Sequence, residues 1–344
     1  MPTTARVVVL EGDYGVCAIQ ELELPDPSPH QAVVEIYGAG IEHGQLQQIE
    51  EPQATPIIPG REGTGRVLEV GSAVTRVKVD DTVLVTPTPA EPNREAELPT
   101  IEFDDGTVTE AGPTATWGTN AVIDEQFLVP IPDLPDKEGA TVLGHTTMLA
   151  AAAVRTAGVA ADESVAVFGC AGAGLSVVAA VAAAGASTII AIDRDDARLE
   201  AAGKLGATAT LNLSSAAAVE KLAELVPGGV AHLFDCVYEF EASARPGRAP
   251  VRDGGSALVV ASPATEARRA ELDALISQYG YAEPDSPDPD RDAAALLAWL
   301  DAGKLDLSVI VSNRFTIEQV NEATQLLENG EITGQTVMVV EPLR

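Results

Sequence analysis

The chain's 344 residues suffice for two domains, and a hydrophobic content of 46% supplies a sizeable core for them. A net charge of −31 argues against nucleic acid and anionic membranes as partners. No apolar run reaches membrane-span length, the first residues lack a signal-peptide profile, and Cys17, Cys170 and Cys236 are too scattered for a disulfide framework, so a cytoplasmic protein with reduced thiols is expected.

Residues 1–85 read as a β-rich module, with β-propensity runs at 6–10, 32–37, 65–70 and 82–85 bounded by Gly, Pro and Asp. From Glu91 to Glu138 acids far outnumber bases among Pro and Gly, which predicts a solvated lobe. A helix over 150–157 connects this part to the next.

The organising stretch follows: VAVFGCAGAGLSVVAAVAAAGASTIIAID. Residues 165–168 form an apolar run short enough for a strand buried on both faces. Gly169, Gly172 and Gly174 come next in the pattern GxxGxG, with Ala171 and Ala173 between them. A helix over 175–184 stops at Gly185, and a second apolar run ends on Asp193. Strand, glycine turn, helix, strand and acid make the dinucleotide-binding βαβ unit. The glycines let the main chain approach a pyrophosphate, and the helix N-terminus offers it unpaired N–H groups. Asp193 can accept from both ribose hydroxyls and repels a 2′-phosphate, which favours NAD(H) over NADP(H). Arg194 weakens that preference, because a guanidinium pairs with phosphate.

Further parallel strands are predicted at 189–193, 208–211, 232–236 and 257–261, with crossover helices at 197–205 and 216–225. Residues 239–255, rich in Arg and Pro, read as a surface connection, or alternatively as a phosphate-binding Arg cluster. Residues 282–292 form a charged hinge. Helices over 293–300 and 317–327 then return to the first domain, and 336–340 closes as a strand.

Taken together, these motifs resemble the medium-chain dehydrogenase/reductase superfamily, in its zinc alcohol dehydrogenase branch. PGREGTGRVLEVGSAVTRVKVDDTV is similar to that family's GHEGAGxVxxVGxxVxxxxxGDxV segment, and the C-terminal LLAWLDAGKLDLSVIVSNRFTIEQVNEATQLLENG to its helix pair. The resemblance implies an α/β fold: a Rossmann doubly wound parallel sheet at 149–281 plus a β-rich GroES-like catalytic domain formed by 1–148 and 282–344. It departs in the fingerprint, where the family's GxGxxG has Ala171 at the second glycine. It departs further at the metal. The family's Cys, His and Cys zinc ligands fall on Glu42, on Arg61, and on Gly144 or His145. Its proton-relay Ser or Thr falls on Gly44, while His43 and Glu62 are retained. The Cys-rich structural-zinc lobe becomes TPTPAEPNREAELPTIEFDDGTVTEAG, without a cysteine.

A catalytic zinc needs three protein ligands, and Arg61 has no lone pair to offer. The expectation is therefore a zinc-free site in which Arg61 pairs with Glu42 and Glu62. Arg61 or His43 would polarise the substrate, and His43 could instead contact the cofactor phosphate. The resemblance further implies Thr146 or Thr147 at the nicotinamide, and Trp117, His145, Met148 and Leu149 about the substrate. The expected function is zinc-independent NAD(P)(H) reduction of an activated C=C, C=N or C=O group of a small molecule. A zinc alcohol dehydrogenase with a shifted site from Glu42, His43, Glu62 and His145 is one alternative, and a non-catalytic nucleotide binder another. By analogy with the family a homodimer is expected, joined through a strand near residues 272–281.

Overall fold

The computed structural model describes residues 3–12, 16–50, 53–215, 217–237, 249–261 and 266–341. The β-rich part holds β1 (Thr3–Gly12), β2 (Cys17–Leu24), β3 (Gln31–Ile41), the helix α1 (His43–Glu50) and β4 (Gln53–Ile57). It continues through β5 (Gly63–Val70), β6 (Thr82–Val85), the small hairpin β7 (Thr100–Glu102) and β8 (Val108–Glu110), then β9 (Asn120–Asp124) and β10 (Leu128–Ile131). In β3 nearly every residue is buried, because β5, β9 and a C-terminal strand pair with it and packed layers cover both faces. The acidic lobe is less solvated than its composition predicts: Ile101, Phe103 and Trp117 are buried there.

The parallel part begins with α2 (Thr146–Ala157), β11 (Ser164–Phe168), α3 (Gly172–Ala184) and β12 (Thr188–Asp193). It continues with α4 (Asp196–Lys204), β13 (Ala209–Asn212), α5 (Ala218–Leu225), β14 (Val230–Asp235) and β15 (Val251–Val259). The strand order is β13-β12-β11-β14-β15, all parallel, so the winding direction reverses between β11 and β14. That switch point opens a crevice beyond the carboxyl ends of the strands. Helix α3 is apolar all round because α2 covers the face turned away from the sheet; Leu175, Val177, Val178 and Val181 are fully buried. Gly185 ends it at φ 96°, its N–H donating to the Ala182 and Val181 carbonyls.

After β15 come α6 (Glu266–Tyr279), α7 (Pro289–Asp301), β16 (Val311–Thr316), α8 (Val320–Glu328) and β17 (Gln335–Val339). Strand β17 runs antiparallel to β3, and β16 parallel to β17, so the chain end completes the large sheet.

Two sequence expectations are corrected. Residues 272–281 are not an edge strand: Leu272, Leu275 and Ile276 recur at helical spacing and pack α6 against the sheet. Among the described residues the parallel sheet gains beyond β15 only an isolated bridge, Leu258 to Ala282. The helix expected over 293–300 forms as α7 and touches both parts: Ala293 and Leu296 join the core around α2 and α3, Arg155 Nε donates to Asp292 Oδ1 at 3.2 Å, and Asp290 pairs with Arg76 at 2.6 Å. Residues 251–255 belong to β15 rather than to a surface connection, whereas 238–248 lie outside the described residues.

The glycine turn sets the packing of the βαβ unit. Gly169 has φ 85°, and a Cβ on Gly174 would overlap the Gly169 carbonyl oxygen, a backbone atom with no freedom to yield. Gly174→Ala is expected to destabilise the protein by about 3 kcal/mol, near the upper end for overpacking, and to weaken nucleotide binding with it. Urea denaturation and nucleotide fluorescence titration of the variant check both effects.

Candidate active site

A cavity of about 490 Å³ lies along the crevice between the two parts. Its nucleotide-facing wall is main chain: Gly169, Ala171, Gly172 and Ala173, continued by Asp193, Arg194 and Arg198. Ala171 precedes the first turn of α3 and its methyl cannot cap it, so the helix N-terminus is left to an anion from solvent. This cradle fits a dinucleotide pyrophosphate. Gly174 stands behind the wall, tight against Gly169.

Asp193 reaches the cavity with its carboxylate already engaged by main chain. Oδ2 accepts from the Cys170 N–H at 2.6 Å, and Oδ1 from the Arg194 and Asp195 N–H groups at 2.7 and 3.0 Å. Arg198 escaped the sequence reading. One of its Nη groups donates to the carbonyls of Gly330 at 2.8 Å and Ile332 at 3.0 Å, bridging α4 to the segment after α8. Its place on the first turns of α4 was legible; its partners, more than a hundred residues away, were not.

The other end of the cavity is lined by Glu42, His43, Glu62 and Thr146. Glu42 ends the run out of β3 and His43 begins α1. Arg61 Nη1 lies 3.5 Å from Glu42 Oε1. Gly44 leaves room for this pair, since a Cβ there would sit 2.8 Å from Arg61 Nη1. Glu62 does not join the pair as expected. Its Oε2 accepts from the His145 and Thr146 N–H groups at 2.8 and 3.0 Å, because the N-terminus of α2 presents two unpaired donors there. A Cβ on Gly40 would overlap the Glu62 carboxyl, so that residue too is small for a reason.

Two carboxyls buried side by side cannot both ionise. Burial raises the Glu42 carboxyl, but His145, Arg61, the Thr146 hydroxyl at 3.1 Å and His43 outweigh it and hold Glu42 below the usual carboxylate range. Burial, then the Glu42 charge, push Glu62 up to about 8. Burial and Arg61 push His145 down to about 4 against Glu42, and burial with Arg198 lowers His43 against the same carboxylate. Near neutral pH the site therefore holds one anion, one cation, a protonated carboxyl and neutral imidazoles.

Among the described residues no three His, Cys, Asp or Glu side chains converge as a metal-binding group, and the position opposite Glu42 is filled by a guanidinium.

Several expected pocket residues lie elsewhere. Trp117 is fully buried in the β-rich core, its Nε1 donating to the Gly40 carbonyl at 2.9 Å, because the Gly118 bridge to Val7 turns the indole inward. Met148 and Leu149 pack into the α2–α3 core rather than the cavity. Thr147 is fully buried behind the wall, its hydroxyl 3.2 Å from that of Ser176, and Gln335 Nε2 donates to Ser176 at 2.6 Å; Thr146 is the threonine that faces the cavity. Gln335 comes from the chain's last strand, and nothing local in its sequence marks it.

Comparison with known proteins agrees with this architecture. Residues 28–133 match the alcohol dehydrogenase GroES-like domain and residues 172–279 the zinc-binding dehydrogenase domain. The S-(hydroxymethyl)glutathione dehydrogenase of Candida maltosa is 30% identical over 68% of this chain and 70% of its own length. The NDMA-dependent alcohol dehydrogenase of Amycolatopsis methanolica is 27% identical over 93% and 95%. The crystal structure of an alcohol dehydrogenase zinc-binding domain protein from Burkholderia ambifaria superposes with a TM-score of 0.85 at 19% identity, covering 99% of this chain and 100% of that one. With its two matching domains and a relative 30% identical over 68% of its length, the chain belongs to the medium-chain dehydrogenase/reductase superfamily of alcohol dehydrogenase-like oxidoreductases.

Proposed function

We propose that this oxidoreductase works without zinc, reducing an activated C=O, C=C or C=N group of a small molecule with NAD(H) in preference to NADP(H). The observation that carries the reading is the Arg61–Glu42 pair at 3.5 Å, with Gly44 clearing its space, where the superfamily resemblance puts metal ligands. The names of the similar proteins, alcohol and S-(hydroxymethyl)glutathione dehydrogenases, support the carbonyl–alcohol member of that set.

The family's cofactor is a pyridine nucleotide, which exchanges a hydride with the substrate when bound. Gly169, Ala171, Gly172 and Ala173 would hold its pyrophosphate at the α3 N-terminus, and His43 and Arg198 add donors within the same cavity. The Asp193 carboxylate disfavours a 2′-phosphate. Arg61 keeps Glu42 ionised and supplies fixed positive charge near the reacting group, the electrostatic part of the catalysis. Glu62 braces the turn at His145 and Thr146, which sets where α2 begins and where the Thr146 hydroxyl points.

Oxidation of NADH across a panel of enones, iminiums and aldehydes is expected to persist in EDTA, with NADPH the poorer donor and zinc well below stoichiometric in the purified protein. Activity abolished by EDTA and restored by Zn²⁺ would overturn the reading. Arg61→Ala leaves Glu42 uncompensated and is expected to lower kcat/KM by about a hundredfold.

The Glu62 proton gives a pH signature. Its folded-state value of about 8 lies above the ordinary 4.5, so between those values the folded chain holds a proton that the unfolded chain releases. Stability from this group is complete below the ordinary carboxylate value and is lost as pH rises through about 8. Glu62→Gln cannot titrate, so its stability relative to the wild type is expected to improve from about pH 5 to about pH 9, as paired denaturation curves would reveal.

A further inference from the structure

We infer that Gln335 is a positioning residue for hydride transfer. It joins the first turns of α2 and α3 to the β-rich sheet, and so fixes a nucleotide held at one turn against a reacting group at the other. The inference rests on the reductase reading above and adds to it the side chain that sets the register between the two ends of the cavity.

Gln335 opens β17, where its backbone pairs with Val311 of β16. The residue before it is tied down as well, since the Gly334 N–H donates to Ser312 Oγ at 2.9 Å. From this anchored start the side chain crosses into the parallel part. Its Nε2 donates to Ser176 Oγ at 2.6 Å and lies 3.4 Å from Thr147 Oγ1, and those two hydroxyls are 3.2 Å apart. Ser176 Oγ in turn lies 3.4 Å from the Gly172 carbonyl oxygen. Each hydrogen thus has an acceptor: the two amide N–H groups on the two hydroxyls, the Thr147 hydroxyl on Ser176, and the Ser176 hydroxyl on Gly172. Ser176 and Thr147 are fully buried and Gln335 is 6% exposed, so water competes little for these bonds.

The network touches both ends of the cavity. Gly172 begins α3 and lines the pyrophosphate cradle, and a Cβ on it would stand 3.7 Å from Gln335 Cγ. Thr147 adjoins Thr146, which lines the cavity beside Glu42 and donates its hydroxyl to that carboxylate. Glu62 holds the same turn of α2 through the Thr146 N–H, so the turn is fixed from two sides. Stability alone does not call for a buried amide here, because apolar groups of the same shape would hold the junction nearly as well. What the hydrogen bonds add is direction, and a misplacement of about 1 Å between reacting groups costs about a hundredfold in rate. The cradle is main chain, so its hold on a pyrophosphate does not need the Gln335 amide.

The test compares the full-length protein with Gln335→Met, which keeps the side-chain length and loses the amide, with Ser176→Ala, and with the double variant. Fluorescence titration with NADH gives the affinity and the emission maximum of the bound nicotinamide. Turnover is read with trans-cinnamaldehyde, which offers both an activated C=C and a C=O, using NADH with and without deuterium at nicotinamide C4. Gln335→Met is expected to bind NADH within about threefold of the wild type, to lower kcat about thirtyfold and to raise the primary isotope effect on kcat. Its bound emission is expected to move toward that of free NADH. Ser176→Ala, the milder change, is expected to show the same effects in smaller measure and carries the test should Gln335→Met not fold. The double variant is expected to be no worse than Gln335→Met, because both changes break one bond. A kcat loss with isotope effect and emission unchanged marks a merely structural role and overturns the inference. Weak NADH binding at unchanged kcat overturns it too, as do variants that behave as the wild type. If the wild type turns over neither cinnamaldehyde nor the panel above, the reductase reading fails instead; the emission shift then supports the role of Gln335 and its absence refutes it.

Discussion

Two carboxyls, Glu42 and Glu62, are buried at the junction of the sheets, and their mutual repulsion governs what surrounds them. His145, the Arg61 guanidinium 3.5 Å away and the Thr146 hydroxyl hold one ionised against its burial; burial, then the charge of the first, keeps the proton on the other. The ionised one lines the cavity. The protonated one turns to the main chain and pins the N-terminus of α2. The separation of roles comes from environment alone, since the residue types are identical.

Charge balance explains how such a site can stand where the superfamily resemblance puts a metal. A divalent ion with two thiolates and a neutral imidazole sums to zero. A guanidinium, one carboxylate, one neutral acid and a neutral imidazole also sum to zero, so the surrounding dipoles need not be rebuilt. Gly44 leaves room beside the Arg61 guanidinium, since a Cβ there would come within 2.8 Å of Nη1.

The molecule as a whole carries −31, yet Arg194 and Arg198 stand on the cavity wall beside the glycine turn. Two guanidiniums within an acidic body offset the repulsion that an anionic nucleotide meets on approach. Arg198 serves twice, since its hydrogen bonds to Gly330 and Ile332 also tie α4 to the chain's C-terminal segment across the mouth of the crevice.

The Rossmann unit was legible residue by residue, because glycine spacing, apolar runs and the terminal acid are local features with local causes. Register and partners were not. The family analogy puts a strand near residues 272–281, but α6 forms there, with Leu272 and Leu275 at helical spacing against an apolar surface. Trp117 could not be assigned to core or cleft from its neighbours, because the bridge that turns it inward involves Val7, more than a hundred residues away. By itself the sequence determined that a nucleotide cradle exists and that residue 61 brings a guanidinium without a lone pair, both consequences of side-chain chemistry at fixed positions. Only the tertiary structure decided that Glu62 turns to backbone rather than to Arg61, and that His145 Nε2 comes within 3.9 Å of Glu42 Oε1. Those outcomes depend on distances between β3, β5 and α2, which no local spacing encodes.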